Sequence, residues 1–364
     1  MSEKKERLYS LDVLRGLDML LLTVIGPIMM SINSAWGLPP AVVAQFNHAW
    51  GGFVLWDIIM PLFIFMCGAA IPLALTRRLD AQGRPTAGFW KHILGRVVLL
   101  WFLGMLVQGQ LLTFKPLQIH PYCNTLHSIA VGYFFTALVM LVPSKAVQFA
   151  IGPLLLLVYG LLLHFGGDYT RDGNFAAIVE RAFYRPFLPA GHRVFEVGGG
   201  YTWVLTSLQF VAMTLAGYYS TLVLRSGFPQ KKKAIILFVY AFAALGLAFA
   251  LSPVVPIIKQ IFTVSCTLLA IGWSVLALAV LYVLTDILKL RSGMGLVLLF
   301  GQLALTAYML HSPPIAAGLK ALAKTFAQGA PQIFGATAQP FVVAVVECGI
   351  MIFLMKCWKI IKTR

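Results

Sequence analysis

The stretch that decides the fold opens an apolar run and reads Asn47-His48-Ala49-Trp50-Gly51-Gly52-Phe53-Val54-Leu55-Trp56-Asp57-Ile58-Ile59-Met60-Pro61. It places an imidazole, His48, at the mouth of a predicted membrane span and a carboxylate, Asp57, two turns inside that span. Ionisable groups at membrane depth are costly, so they are functional candidates by default. A histidine beside a buried carboxylate is typical of proton or acyl transfer.

The composition excludes an ordinary soluble protein. Of the 364 residues, 60% are apolar and 11% are charged, whereas soluble chains carry about a quarter charged residues. The net charge of +16 would suggest nucleic acid in a soluble protein. Here the basic residues lie between apolar runs, so we expect a lipid bilayer and no nucleic acid as partner. The five cysteines form no Cys-x-x-Cys pair, so neither a disulfide framework nor a metal site is predicted.

The apolar runs predict an all-α fold, a polytopic bundle of about ten transmembrane helices that forms one integral-membrane domain over residues 1–364. A helix needs about 20 apolar residues to cross the hydrocarbon core. By that measure the predicted spans are 11–33, 51–76, 93–113, 124–142, 146–165, 201–224, 235–255, 262–285, 294–312 and 340–358.

The basic residues predict the orientation of these spans. With the N-terminus inside, the inner loops hold 19 lysines and arginines and the outer loops hold 8. Since inner loops are enriched in basic residues, we expect both termini to be cytoplasmic (N-in/C-in) and His48 to face outside. The longest outer loop, at about 166–200, is either a small cap or a solvated loop.

The first span contains a charged group that has two interpretations. Asp12, Arg15 and Asp18 are spaced at i, i+3 and i+6, which places them along one side of a helix. They could form an ion-pair network that orients the helix. Alternatively, Arg15 contacts a phosphate or positions a ligand, which guanidinium geometry favours.

The position of Asp57 suggests a broken helix. On a helix that starts near Gly51, Asp57 lies roughly 9 Å below the outer surface. Pro61 follows four residues later, so the carbonyl of Asp57 loses its helical donor and we expect a kink there. A broken helix at a carboxylate is typical of buried sites in membrane proteins.

Several polar residues are candidate contacts for a substrate. His48 combines with Asn47, Trp50 and a glycine pair, although an interfacial histidine beside an aromatic belt is the simpler interpretation. His127 and His311 lie in spans, where polar side chains most often make interhelical hydrogen bonds. We retain Asn47, Trp50, His127 and His311 as candidate substrate-binding residues.

The chain resembles the transmembrane acyltransferase family of heparan-alpha-glucosaminide N-acetyltransferase. The similar stretches, in chain order, are Arg7-Leu8-Tyr9-Ser10-Leu11-Asp12-Val13-Leu14-Arg15-Gly16, the segment from Asn47 to Gly68, Asn124-Thr125-Leu126-His127-Ser128-Ile129-Ala130, Phe262-Thr263-Val264-Ser265 with Gly272, and Gly301-Gln302-Leu303-Ala304-Leu305-Thr306-Ala307-Tyr308. The active-site histidine of the family corresponds to His48. Lysosomal members carry an asparagine where this chain has Gly26, and Asn33 and Asn47 are candidates to replace it.

The resemblance implies transfer of an acetyl group from cytoplasmic acetyl-CoA to an acceptor on the far side. His48 and Asp57 are then the catalytic candidates, with His48 either a base or a transient acyl carrier. Acetyl-CoA is a polyanionic donor substrate, and Arg15, Arg77, Arg78 and Arg96 are its candidate ligands.

Two further expectations follow from the resemblance. The large lumenal domain of the lysosomal members is absent, so we expect a bacterial inner-membrane protein acting on a small amino sugar or oligosaccharide. A homodimer is left open. The rival interpretation is an amino-sugar permease that uses the same polar clusters without acyl transfer.

Overall fold

The computed structural model describes residues 8–108, 121–186 and 200–363. It is 76% helical, and the described part of the chain contains no β-strand. The prediction of an all-α polytopic bundle is therefore confirmed. Eight described helices are long and apolar enough to cross a membrane: Tyr9–Trp36, Leu55–Ala74, Ala87–Val107, Lys145–Gly166, Ser207–Leu224, Gln230–Leu251, Val264–Ile287 and Ala336–Lys362.

The two remaining predicted spans fall on shorter helices. The run at 124–142 forms Thr125–Met140, which is apolar but only 16 residues long. The run at 294–312 forms two helices, Gly295–Gln302 and Ala304–His311, which meet at Leu303. There the backbone has φ −114° and ψ 30°, outside the helical region, so the first of the two helices ends.

The α-helices are, in chain order, α1 (Tyr9–Leu20), α2 (Gly26–Trp36), α3 (Pro40–Ala44), α4 (Ile59–Ala74), α5 (Ala87–Val107), α6 (Thr125–Met140), α7 (Lys145–Gly166), α8 (Phe175–Tyr184), α9 (Ser207–Leu224), α10 (Gln230–Leu251), α11 (Val264–Leu281), α12 (Gly295–Gln302), α13 (Ala304–His311), α14 (Pro313–Phe326), α15 (Ala330–Phe334) and α16 (Gln339–Thr363). Two π-helical turns, Leu21–Ile25 and Tyr282–Ile287, follow α1 and α11.

The chain divides into two compact units. The first unit comprises Met1–His48, Val54–Ile59 and Val280–Arg364, and the second comprises Ala49–Phe53 and Met60–Ala279.

In the first unit, a distant carboxylate holds the start of α1. The two oxygens of Asp286 accept hydrogen bonds from the backbone N–H groups of Tyr9 at 3.1 Å and Ser10 at 2.9 Å. Arg291 lies 3.7 Å from Asp286 and stacks over the ring of Tyr9. A carboxylate at this end satisfies N–H groups that have no helical acceptor and complements the helix dipole.

Helices in both units approach each other closely at glycines. In the first unit, a Cβ atom on Gly16 of α1 would overlap the backbone of Val297 in α12. In the second unit, a Cβ atom on Gly217 of α9 would overlap the carbonyl oxygen of Phe65 in α4. Because lipid tails are as apolar as the side chains, helices in membranes associate by such close packing at small residues.

We expect Gly217→Ala to destabilise the second unit, because the added methyl group forces α4 and α9 apart. The expected loss is about 2 kcal/mol of unfolding free energy, measured as a lower Tm of the purified protein. The matched control is Gly246→Ala in α10, where a Cβ atom meets no heavy atom within 4 Å. An equal Tm for the two variants would show that the close α4–α9 packing contributes no stability.

A buried carboxyl group links α8 to the segment that precedes α9. The Oε2 atom of Glu180 accepts hydrogen bonds from the backbone N–H groups of Trp203 at 3.0 Å and Val204 at 2.8 Å. Its Oε1 atom is buried and has no hydrogen-bond partner among the described residues. Burial raises the pKa of Glu180 to about 7, against the lowering effect of the two N–H donors. Residues 187–199 of the loop predicted at 166–200 lie outside the described residues.

This raised pKa makes folding stability depend on pH in a definite direction. The folded protein keeps the proton on Glu180 up to about pH 7, whereas the unfolded chain releases it near the ordinary value of 4.5. Stability is therefore greatest below the unfolded pKa and falls as pH rises through about 7, by on the order of 3 kcal/mol.

Thermal unfolding between pH 5 and pH 8 measures this dependence. Glu180→Gln, which carries no titrating proton, should flatten the curve, whereas Asp172→Asn at a largely exposed carboxylate should leave it unchanged. A wild-type curve that rises with pH and responds equally to both substitutions would contradict the assignment.

Candidate functional site

The structure brings the two predicted catalytic residues into direct contact. The Nδ1 atom of His48 lies 2.6 Å from the Oδ1 atom of Asp57. The other carboxylate oxygen accepts a hydrogen bond from the backbone N–H of Val54 at 2.9 Å. The Asp57 side chain is 4% exposed and that of His48 is 34% exposed. The carboxylate is thus buried with a partner for each oxygen, while the imidazole is accessible.

The expected position of Asp57 two turns inside a helix is wrong. Gly51 and Gly52 are not helical, and a 3₁₀ turn, Leu55–Ile58, precedes α4. Asp57 therefore lies in the first turn of its span, where a carboxylate complements the helix dipole. Pro61 lies near the start of α4, and no mid-span kink arises at Asp57. Proline lacks a backbone N–H, but a residue near the start of a helix has no helical acceptor for that group. Pro61 therefore costs the helix no hydrogen bond.

The segment before Asp57 is fixed by bonds within the first unit. The carbonyl oxygen of Gln45 accepts from the N–H of Trp56 at 2.9 Å, and its side-chain oxygen accepts from Leu55 at 3.2 Å. The Trp56 ring packs on Gly26 so closely that a Cβ atom on Gly26 would overlap it. This packing leaves no room for a side chain at Gly26.

The two predicted substrate contacts beside His48 have different surroundings. Asn47 is exposed, and its side-chain amide donates to the carbonyl of Val43 at 3.3 Å. Trp50 belongs to the second unit, where its indole N–H donates to the carbonyl of Tyr169 at 3.2 Å and Arg171 stacks on its ring. Trp50 thus has a packing role, and substrate binding by either residue stays a prediction.

His127 is fully buried in the second unit and is held by backbone groups. Its Nδ1 atom accepts from the N–H of Cys123 at 3.2 Å, and its Nε2 atom lies 3.1 Å from the carbonyl of Trp101. The ring stacks on Trp101 with centroids 4.6 Å apart. These bonds indicate a residue that joins α5 to α6, and its contact with substrate stays a prediction.

The predicted donor-binding arginines of the second unit share one region. The charges of Arg77, Arg78 and Arg96 all act on His92. Arg78 also donates to the carbonyl of Ala74 at the end of α4, at 2.5 Å, and Arg96 stacks over the ring of Tyr133. Arg78 therefore caps a helix as well as contributing charge. Arg77 is exposed, and its side chain has no hydrogen bond or ion pair to another described residue.

In the first unit, Arg15 lies 3.7 Å from Asp12, one turn earlier on α1. The third member of the charged group, Asp18, is buried, and neither carboxyl oxygen has a hydrogen-bond partner among the described residues. The π-helical turn at Leu21–Ile25 begins three residues later, and such turns are frequent at functional sites. The sequence indicated the spacing of Asp18, but only the structure shows that it is unpaired.

The last candidate, His311, ends α13 and lines a cleft of about 1020 Å³ in the first unit. Lys320 and Glu347 line the same cleft.

The geometry of His48 and Asp57 is suited to proton transfer or nucleophilic attack. An ionised carboxylate only accepts hydrogen bonds, so Nδ1 of His48 carries the proton and the lone pair of the neutral ring is on Nε2. A carboxylate at Nδ1 fixes this tautomer and stabilises the imidazolium that forms when Nε2 takes up a proton. The fold and this pair together define a polytopic membrane protein with an oriented histidine at the start of a span.

One family model matches the part of the chain that contains His48 and Asp57. Residues 7–112 match a family model described as "Domain of unknown function (DUF5009)". The match includes α1, His48, Asp57 and the three arginines near His92, and it covers less than a third of the chain. A search of curated proteins finds none that matches.

The orientation of His48 can be tested by ¹⁵N NMR of protein labelled at histidine. We expect the neutral ring of His48 to carry its proton on Nδ1, because Asp57 accepts it. Asp57→Asn should shift the population toward the Nε2–H tautomer, whereas Asp172→Asn should not. The resonance is assigned by its loss in His48→Gln. A wild-type ring protonated on Nε2 would refute the orientation.

Proposed function

We propose that the chain is a membrane acyltransferase that moves an acetyl group from cytoplasmic acetyl-CoA to a glucosamine-like amino sugar on the periplasmic side of a bacterial inner membrane. The observation that carries the proposal is the 2.6 Å contact between His48 Nδ1 and the buried Asp57. It occurs at the histidine that the family resemblance marks as catalytic. Paired histidines and carboxylates also serve as proton relays in transporters, so formation of acetylated product is the observation that separates this proposal from a permease.

In the first of two chemical routes, His48 acts as a general base. Its Nε2 atom takes a proton from the acceptor amine as the amine nitrogen attacks the thioester carbonyl. The new C–N bond forms, the C–S bond breaks, and the imidazolium returns the proton to the departing thiolate of CoA. Asp57 stabilises the imidazolium between these two steps.

In the second route, His48 carries the acetyl group itself. The Nε2 atom attacks the thioester, the C–S bond breaks, and an acetylimidazole forms as CoA leaves. The amine then attacks the acetyl carbon, the bond from that carbon to Nε2 breaks, and the proton lost by the amine nitrogen passes to the released Nε2 of the imidazole. Rapid quenching in the absence of acceptor distinguishes the routes, because only the second leaves acetyl label on the protein.

The donor side of the proposal rests on charge. We place both termini in the cytoplasm because basic residues are concentrated in the predicted loops on their side of the membrane. Arg77 and Arg78 follow α4 on that side, and Arg96 lies in the first half of α5. Their guanidinium groups suit the phosphates of CoA. Arg15, one turn into α1, is the donor contact proposed in the first unit.

Replacement of His48 tests the catalytic assignment. We expect His48→Ala to reduce acetyl transfer from labelled acetyl-CoA to glucosamine by at least ~100-fold, the effect of removing a positioned acid–base group. Its Tm should also fall, because one oxygen of the buried Asp57 loses its imidazole partner, so transfer is compared at a temperature well below the Tm of the variant. Asp57→Asn should reduce both transfer and Tm, because Asp57 is buried and bonds two partners.

The matched control is His164→Ala, which removes an exposed histidine of α7. It should transfer acetyl groups at the wild-type rate. If His48→Ala also does so, while wild type forms product, then His48 is not catalytic.

Replacement of Arg77 tests the donor site. We expect Arg77→Gln to raise the Kd for acetyl-CoA about tenfold, the loss of one charge-assisted phosphate contact, and to leave Tm and the affinity for the acceptor unchanged. Arg78→Gln should also lower Tm, because Arg78 caps α4. Titration calorimetry with acetyl-CoA, and separately with glucosamine, gives the two affinities.

The control for this charge loss is Arg181→Gln, an equal change in α8. It should bind acetyl-CoA like wild type. If Arg77→Gln and Arg181→Gln weaken acetyl-CoA binding equally, then the loss of affinity comes from the lower net charge of the protein, and Arg77 does not contact the donor.

A further inference from the structure

The cleft that contains His311 is formed by one face from each of three helices of the first unit. Ser31 and Ser34 line it from α2, Ala317 and Lys320 from α14, and Glu347 from α16. Its volume of about 1020 Å³ is at the upper end for small-molecule sites, so it can hold a bulky ligand. The lining combines small residues along the walls with a few charged groups.

The cleft reaches the end of one predicted span and the start of another. Its lining includes the last turn of α2, just before Trp36, and the first residues of α16, at Gln339. Trp36 is exposed and contacts Phe341 with ring centroids 5.3 Å apart. Exposed tryptophan at a span end is typical of the headgroup level of a membrane. Phe326, at the end of α14, is 70% exposed, which suits a helix that lies against lipid.

The lining of the cleft contains more basic than acidic side chains. Lys320 and Lys324 line it, and neither forms a hydrogen bond or an ion pair with another described residue. Glu347 is half-buried there, and the charge of Lys320 acts on it. The lining thus holds two lysines and one glutamate, so basic groups outnumber acidic ones and the cleft favours an anion.

We propose that this cleft binds an anionic phospholipid, with the phosphodiester at Lys320 and Lys324 and an acyl chain along the wall formed by Pro27, Val343 and Ala344. The phosphate of such a lipid carries one negative charge, which complements the net charge of the cleft. Its chain can pack on these apolar side chains, which a soluble phosphate would leave uncovered. Neither His48 nor Asp57 lines the cleft, so the site is separate from the proposed catalytic pair.

Native mass spectrometry of the full chain tests the proposal. The protein is released from micelles that contain phosphatidylglycerol and phosphatidylcholine with matched acyl chains. We expect wild type to retain phosphatidylglycerol preferentially. The double variant Lys320→Gln, Lys324→Gln should lower that retention about 30-fold, the effect of losing two cationic contacts near the membrane. Ala317→Trp, which fills the cleft at an exposed position without changing charge, should lower it as well.

Two comparisons make the result specific. The variant Lys356→Gln, Lys362→Gln removes equal charge at the other end of α16 and should retain the lipid, while Glu347→Gln should increase retention by making the cleft more positive. Equal loss in both lysine pairs would overturn the proposal. Displacement of the lipid by millimolar inorganic phosphate would also overturn it in favour of a soluble anion. A change of oligomeric state in the cleft variants alone would overturn it in favour of a second copy of the chain.

Discussion

The proposed chemistry depends on how one buried carboxylate is satisfied at the start of a membrane span. Asp57 has a partner for each oxygen: the imidazole of His48 for one and the N–H of Val54 for the other. An unpaired carboxylate there would be strongly unfavourable. The same two bonds determine the path of the chain before α4 and the orientation of the imidazole. The hydrogen bond between His48 and Asp57 therefore both stabilises the buried carboxylate and orients the imidazole for the proposed chemistry.

The sequence was sufficient for the fold class, because the length and spacing of apolar runs are set by the thickness of the bilayer. It was less informative about backbone geometry within a run. The predicted span at 294–312 is interrupted at Leu303, a residue as apolar as its neighbours. Hydropathy likewise placed the start of the second span near Gly51, whereas the helical turns begin at Leu55. Asp57 is for that reason at the end of its span and not two turns inside.

The pairing of His48 with Asp57 could be anticipated because the two residues are close in sequence. Pairings between residues that are far apart in the sequence could not be anticipated. Asp286 caps the start of α1 although it lies 276 residues from Ser10 in the sequence. Glu180 in α8 accepts hydrogen bonds from Trp203 and Val204, which precede α9. Periodicity indicates which face of a helix is apolar but does not indicate which neighbour that face meets. For the same reason the sequence indicated that His127 makes an interhelical hydrogen bond but not that its partner is the carbonyl of Trp101.

The proposed transfer of an acetyl group across the membrane can be tested in vesicles. Purified wild-type protein is reconstituted with glucosamine inside the vesicles and labelled acetyl-CoA outside. We expect labelled N-acetylglucosamine to form inside the vesicles, at a rate that depends on external acetyl-CoA. Movement of unmodified glucosamine across the membrane, with no acetylated product, would refute acetyl transfer and identify a permease.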